Sequence, residues 1–166
     1  MAQNMVCYIV NLLTNSRVEF ELIPEELSDS NSAQFEDVSP LGRSGPLRSY
    51  GSSGPRSISF TLQLHNDYCK DGILNTVNKL KALTYPAYTG GNILPPKCLV
   101  RIGDVINCTA TCDEVGVNWM KPIVNNMYVM AEVSLSLSEV TSKAKSTYDV
   151  EKGELNGAKG RGVTPW

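Results

Sequence analysis

Histidine, basic charge and long apolar runs are all scarce in this chain, and each scarcity bears on what the protein can do. His65 is the only histidine, so catalysis by a histidine base has one candidate. The formal net charge of −2 argues against a general electrostatic footprint for nucleic acid. No apolar run approaches the roughly 20 residues that span a bilayer, so no membrane partner is expected. The first residues, Met1 to Leu13, have no basic region before their apolar stretch, and we do not expect a signal peptide.

Cysteine occurs five times, an odd number that suits a reducing compartment with buried thiols. A zinc site would have to combine Cys108 and Cys112 with Cys69 and His65. Their spacings, Cys-x3-Cys and His-x3-Cys, are not the tight knuckles that hold structural zinc, so no metal is expected. A disulfide between Cys108 and Cys112 would join neighbours on one face of a strand, which its geometry disfavours.

The stretch from Gln34 to Leu64 is the most informative part of the chain. Its first half is rich in glycine, serine, proline and arginine and has too few apolar side chains to bury itself. Long connections without regular structure are uncommon inside a compact domain and are usually functional. We therefore predict an extended, flexible arm over about residues 28–55 that docks on a partner. The residue types suited to docking are Arg43, Arg48, Tyr50 and Arg56.

Two segments alternate strictly between apolar and polar side chains, which predicts long half-buried strands. The first runs from Arg56 to His65 and the second from Met127 to Val140. Their polar faces are the candidates for a water-filled surface; the residues concerned are Ser57, Ser59, Thr61 and Gln63 in the first strand and Ser134, Ser136 and Ser138 in the second.

The other elements are shorter. A hairpin is predicted from Met5–Leu13 and Arg17–Ile23, and a second from Lys97–Ile102 and Val105–Cys112. Between them an apolar stripe at helical spacing predicts a helix over Tyr68–Leu83, with Asn66 or Asp67 as its N-cap. These elements predict a mainly β, α+β fold: an antiparallel barrel or sandwich of about six or seven strands with one flanking helix. It occupies residues 1–140, and a polar, flexible tail follows over 141–166.

No pattern of catalytic residues emerges. Gly42-x-x-Gly45 and Gly51-x-x-Gly54 lack the Gly-Lys-Ser/Thr and the following helix of a phosphate-binding loop. The carboxylates of the polar loops have no apolar surroundings to raise a pKa, and the serines and cysteines match no nucleophile-elbow pattern. We therefore expect neither an enzyme nor a cofactor site. Arginine and tyrosine in the arm could bind single-stranded nucleic acid, but the acidic balance of the chain favours a protein partner with an acidic groove.

The order of these signals resembles the tube-type proteins of contractile injection systems, namely contractile phage tails and tailocins. More narrowly, it is similar to the tube-initiator protein that joins the tail tube to the baseplate. FELIPEELSDSNSAQFEDVSP and the following GRSGPLRSYGSSGPRSISFTLQL carry the resemblance, and the helix DGILNTVNKLKALTYP also fits. The matching positions are Pro24-Glu25-Glu26-Leu27, Gly42-Arg43-Ser44, Gly54-Pro55-Arg56 and Ile58-Ser59-Phe60.

The resemblance covers about residues 5–140, with two departures. Ile23 stands where the family usually has asparagine, and the chain ends in a short tail instead of the peptidoglycan-binding module that many members carry.

The resemblance implies a tail-tube fold whose copies pair sheet edges into a hexameric ring with a continuous inner barrel. The polar faces of the two long strands would line the lumen, where DNA or cargo makes only passing contact. Pro24, Glu25 and Glu26 would join the arm residues at subunit or partner interfaces, and the partners would be the tail tube protein and baseplate hub or spike proteins. The expected location is the virion tail or an extracellular tail-like particle, assembled in the bacterial cytoplasm.

Two other functions stay open at this point. An ordinary major tail tube protein would stack in many layers, and a small β-barrel that binds a ligand or nucleic acid would bind oligonucleotides in a salt-dependent way.

Overall fold

Alternating side chains build one large antiparallel sheet, onto whose apolar face a helix packs. A computed structural model describes residues 6–20, 22–141 and 144–153. The strands are β1 Cys7–Asn11, β2 Arg17–Glu19, β3 Leu27–Ser30, β4 Ala33–Val38, β5 Leu47–Ser53, β6 Ser57–His65, β7 Ala87–Thr89, β8 Asn92–Leu94, β9 Cys98–Ile102, β10 Ile106–Val124 and β11 Met127–Glu139. The helices are α1 Ile73–Lys81, which continues as a 3-10 turn over Ala82–Thr84, and the short α2 Thr147–Glu151.

The main sheet has seven strands in the order β2-β1-β9-β10-β11-β6-β3. Two further sheets of two strands each, β4-β5 and β7-β8, form separate ribbons. The predicted antiparallel β fold with a flanking helix is confirmed. Over the described residues the sheet is open rather than closed into a barrel, because its edge strands β2 and β3 do not pair with each other.

The core lies on one face of this sheet. In β6 the side chains of Ile58, Phe60, Leu62 and Leu64 are buried while their neighbours in sequence are exposed, as the alternation predicts. The helix α1 adds the stripe Ile73, Val77 and Leu80, which is also buried. Leu22 lies within the predicted strand Arg17–Ile23 but is exposed, because β2 ends earlier, at Glu19.

The helix begins later than the sequence predicts. Gly72 is its N-cap and has a φ of 82°, a left-handed conformation that glycine adopts without steric cost. The expected caps, Asn66 and Asp67, lie in the turn that precedes it.

Strand β10 is much longer than predicted. Its register against β11 shifts between Cys112 and Glu114, so Asp113 is an extra residue of the kind that makes a β-bulge. The bulge interrupts the period of two, which is why the sequence pattern predicts a strand only as far as Cys112. The turn between β10 and β11 is formed by Asn125 and Asn126, both at positive φ, as turn chemistry predicts.

The C-terminal segment contains more structure than a polar tail suggests. Ser146 and Asp149 form a capping box that starts α2, in which no residue is buried. The rest of the predicted tail, Ser142, Lys143 and residues 154–166, lies outside the described residues.

Candidate assembly surfaces

The structure brings the two predicted polar faces together on one surface. Strands β6 and β11 are neighbours, and their registers place Ser57 opposite Ser138 and Ser59 opposite Ser136. The same ladder places Thr61 opposite Ser134 and sets Gln63 against Glu132. Since cross-strand partners share a face of the sheet, these side chains form a continuous hydroxyl-rich surface, which we call the polar face.

Neighbouring strands widen this face. On one side Glu114, Gly116 and Asn118 of β10 lie opposite Ser136, Ser134 and Glu132 of β11, and on the other Ser28 of β3 lies opposite Ser59. A Cβ at Gly116 would lie 2.5 Å from Ser134 Oγ, so the Ser134 hydroxyl occupies the space that a side chain at position 116 would need. Ser138 is held by a hydrogen bond to the carboxylate of Asp113. The polar face therefore spans four adjacent strands.

The charged side chains in the grooves of the polar face are of one sign. Three shallow grooves cross it, and among the described residues that line them the only charged side chains are carboxylates. These are Glu25, Glu26, Glu114 and Glu132. A surface of hydroxyls and carboxylates repels phosphates, because like charges raise the energy of approach.

The predicted interface residues Glu25 and Glu26 thus lie beside the polar face rather than with the arm. The groove that contains them is also lined by Leu22 and Ile23, which are exposed. Pro24 lies within the same loop and is partly buried. The loop therefore forms a rim of apolar and acidic side chains along one margin of the polar face.

The polar face ends in two unpaired backbone edges. Within the described residues, β10 pairs with β9 only over Ile106–Ala110, so its far half has β11 as its single partner strand. On the opposite side, β3 covers only Ser57–Phe60 of β6 and leaves Thr61–His65 with β11 alone. Exposed strand edges can pair with another strand, and soluble proteins usually protect them.

The predicted flexible arm is a β-hairpin. Strands β4 and β5 pair from Ala33↔Ser53 to Val38↔Leu47, and every residue of both strands is exposed. The ribbon continues the β3–β6 pair outward, so the chain from Leu27 to Phe60 is one long, interrupted hairpin. The sequence predicts an extended arm here rather than a hairpin, because serine, glycine and arginine carry no strand signal.

Three predicted docking residues lie on this arm. Arg48 stacks over the ring of Phe35 at 4.7 Å, and Phe35 contacts Tyr50 edge-to-face with ring centroids 5.7 Å apart. Arg43 is exposed in the turn beyond them. The apolar side chains exposed along the arm are Phe35, Val38, Leu41, Leu47 and Tyr50. An isolated two-stranded ribbon is marginal in water, so exposed aromatic and arginine side chains on it favour a partner that covers them.

The prediction that Arg56, the fourth docking residue, contacts a partner is wrong for the single copy, in which its side chain is buried. Its side chain is only 3% exposed and donates from Nε to Asp29 Oδ1 at 2.7 Å. Its guanidinium also lies 4.0 Å from Glu139 Oε2, and Glu139 accepts from Lys145 Nζ at 2.7 Å. Arg56 is therefore an internal anchor at the base of the arm. The sequence could not show this because Asp29 and Glu139 come from distant strands.

Two further exposed apolar surfaces were not predicted from the sequence. The β7–β8 ribbon exposes Tyr85, Tyr88, Ile93 and Leu94, and it lies in a stretch, 82–96, without a single charged residue. The absence of charge from this stretch is the sequence feature that could have predicted an apolar surface here. The tip of the β10–β11 hairpin exposes Ile123, Val124, Met127 and Tyr128.

The residues weighed for metal binding or catalysis do not assemble into a site. His65 accepts a hydrogen bond from the backbone of Asp67 at 3.2 Å and is partly exposed. Burial raises the pKa of Cys98 to about 12 and the pKa values of Cys108 and Cys112 to about 11, so these thiols stay protonated near neutrality. In the described ranges no group of three or more histidine, cysteine or acidic residues is placed to hold a metal, and no helix is long and apolar enough to span a membrane.

The sequence matches no protein-family model and no curated protein. Solved structures do contain similar chains. A chain of the six-fold symmetrised cryo-EM structure of the anti-feeding prophage (AFP) baseplate is 7% identical, with 85% of this chain and 91% of that chain covered and a TM-score of 0.47. A chain of the tail of an empty GTA particle, computed with C6 symmetry, is 14% identical, with coverages of 89% and 98% and a TM-score of 0.42. Chains of a baseplate and of a tail particle are thus among the structural neighbours.

Proposed function

We propose that this protein is a structural, non-catalytic component of a contractile phage tail or tail-like particle, in which it forms a ring at the junction of tube and baseplate. The observation that carries the proposal is the polar face with an unpaired strand edge on each side. Its position in the particle comes from the sequence resemblance to tube-initiator proteins.

Edge pairing between copies explains how the ring would close. The far half of β10, the facing part of β11 and the Thr61–His65 part of β6 form a three-stranded section whose two outer edges are unpaired within the described residues. If β10 of one copy pairs with β6 of the next, both edges gain hydrogen bonds, and the sheet becomes continuous around the ring. A closed ring leaves no edge exposed. The resemblance implies six copies.

The polar face would line the lumen of that ring. Serine, threonine and glutamine side chains remain hydrated, and the carboxylates of Glu114 and Glu132 repel a phosphate backbone. DNA or cargo could then pass with only transient contact. The opposite face is the apolar core and cannot serve this purpose.

The ribbons would make contacts outside the lumen. We infer that the arm clasps a neighbouring copy and that the apolar tips of β7–β8 and β10–β11 meet adjacent layers, namely the tail tube protein on one side and hub or spike proteins on the other. All three carry exposed aromatic side chains, a residue type enriched at protein interfaces. The location would be the tail of a virion or an extracellular tail-like particle, after assembly in the bacterial cytoplasm.

Disulfide trapping tests the ring directly. Asn118 of β10 and Gln63 of β6 both lie beside Glu132 in the same row of the sheet, two strand spacings or about 9–10 Å apart within one copy. That separation is too long for a disulfide, so a bond between cysteines at these positions joins two copies.

The experiment uses Asn118→Cys with Gln63→Cys, and in parallel with Thr61→Cys to allow for the register, both in a Cys69→Ser background. We expect oxidation to give a ladder of covalent oligomers that ends at one closed species. Each single-cysteine variant serves as a control and should give no ladder. Monomers alone, from both cysteine pairs at concentrations where copies associate, would contradict edge pairing.

A major tail tube protein is the second candidate, because the same edge pairing would serve it. The purified protein would then form long stacked tubes rather than single rings. The carboxylates of the polar face disfavour a nucleic-acid-binding barrel. Salt-dependent binding of oligonucleotides to that face would instead favour this function.

A further inference from the structure

The arm leaves the main sheet at an irregular joint. Two residues, Asn31 and Ser32, separate β3 from β4, whereas three residues, Gly54 to Arg56, separate β5 from β6. The unequal count interrupts the ladder as a bulge does, and bulges generally bend the strands that contain them. One backbone hydrogen bond crosses the gap, from Gly54 N–H to Ser32 O at 2.8 Å.

An ionic cluster with a buried arginine at its centre lies beside this joint. Arg56 donates to both carboxylate oxygens of Asp29, from Nε at 2.7 Å and from Nη2 at 2.5 Å. Glu139 lies near the other side of the guanidinium and is itself only 7% exposed, with Lys145 bound to it. Two positive and two negative groups balance one another. Through these contacts Arg56, at the joint, is connected to β3 by Asp29 and to the end of β11 by Glu139. Lys145, in the segment that precedes α2, binds Glu139 in turn.

The backbone of Arg56 is held as well. Its carbonyl accepts a hydrogen bond from Glu139 N–H at 2.8 Å. A planar guanidinium with two parallel hydrogen bonds fixes direction as well as distance, which a lysine ammonium does not. The two strands of the arm add little that would fix the joint, because all of their residues are exposed.

We propose that Arg56 is a positioning residue: its guanidinium, gripped by Asp29 and flanked by Glu139, fixes the direction in which the arm leaves the sheet. A fixed direction lowers the entropic cost of docking, because the arm is already ordered when it meets its partner. The consequence for assembly rests on the clasping role proposed above. The direction itself is a property of a single copy.

Pulsed electron–electron double resonance, which measures the distance between two spin labels, tests the inference on the monomer. Spin labels on Ser44→Cys at the arm turn and Asp104→Cys at the β9–β10 turn, in a Cys69→Ser background, report the angle of the arm. We expect one narrow distance peak for otherwise native protein. Arg56→Met should broaden or split it, and Arg56→Lys should give an intermediate width.

Asp29→Asn provides a milder variant in case Arg56→Met does not fold. It removes the paired carboxylate but leaves Glu139 near Arg56, and it too should broaden the peak. Arg17→Met is the matched control, because it removes an exposed ion pair to Glu19 of 2.9 Å that lies away from the arm. An unchanged narrow peak in the folded Arg56→Lys or Asp29→Asn protein would overturn the inference.

Assembly of the same unlabelled variants separates the two proposals. A broadened peak with loss of oligomers supports both the positioning role and the clasping role. A broadened peak with normal oligomers supports the positioning role and contradicts clasping by the arm. An unchanged peak contradicts the positioning role whatever the oligomers do.

Discussion

At the residue scale, burial changes completely from one side chain to the next along the long strands. Leu62 in β6 is fully buried, and its neighbour Gln63 is exposed on the polar face. Leu62→Ala should lower the free energy of unfolding by about 2–5 kcal/mol, because it removes buried methyl groups and leaves a cavity. Gln63→Ala is the matched control and should change it by less than about 1 kcal/mol. Denaturant unfolding followed by circular dichroism measures both, and equal losses would contradict the assigned faces.

The ion pair of Asp29 with Arg56 makes the free energy of unfolding depend on pH. Its hydrogen bond to Arg56 holds the pKa of the Asp29 carboxyl below its ordinary value in the folded protein. A carboxyl whose folded pKa is lowered stabilises the fold above its unfolded pKa of about 3.9, and the stabilisation is lost as pH falls through the folded pKa. Wild type should therefore exceed Asp29→Asn in unfolding free energy at pH 7, and the gap should shrink below about pH 4. A gap that widens on acidification would contradict this ion pair.

At the element scale, the sequence predicted what depends on local periodicity. The polar faces of β6 and β11 were predicted residue by residue, and α1 was predicted from its apolar stripe. What the sequence alone could not show was that β6 and β11 are neighbours, since their pairing joins residues about 70 positions apart. The resemblance supplied the idea of a common lumen, and the register supports it.

The errors also have local causes. The bulge at Asp113 broke the alternation of β10, and the ribbon β4–β5 is built from residues that favour turns. Arg56 was predicted to be exposed because arginine usually is, and only its partners Asp29 and Glu139 explain its burial.

The β10–β11 turn gives a prediction at this scale. Asn126 has a φ of 61°, a region in which a β-branched side chain is strained and glycine is not. Asn126→Val should destabilise the protein by about 1–2 kcal/mol, whereas Asn126→Gly should be neutral or slightly stabilising. Thermal unfolding of the two variants side by side measures the difference. Equal stabilities would contradict the left-handed turn.

At the scale of the whole molecule, exposed apolar side chains are concentrated on ribbons that project from the sheet. Phe35 and Tyr50 on the arm are 47% and 57% exposed, so Phe35→Ser with Tyr50→Ser should cost a monomer little stability. The same double variant should lose self-association, because these side chains are the proposed contact with a neighbouring copy. Sedimentation velocity measures the oligomer. Leu74→Ser, at a helix position of similar exposure (45%), is the control and should assemble normally.

The central claim is that copies of this chain form an open ring that joins a tail tube to a baseplate. Electron microscopy of the purified protein, alone and mixed with the products of its neighbouring genes, tests it most directly. We expect rings with an open centre that attach to the end of a tube or to a hub, with the polar face lining the opening. Featureless monomers that bind none of these proteins would contradict it.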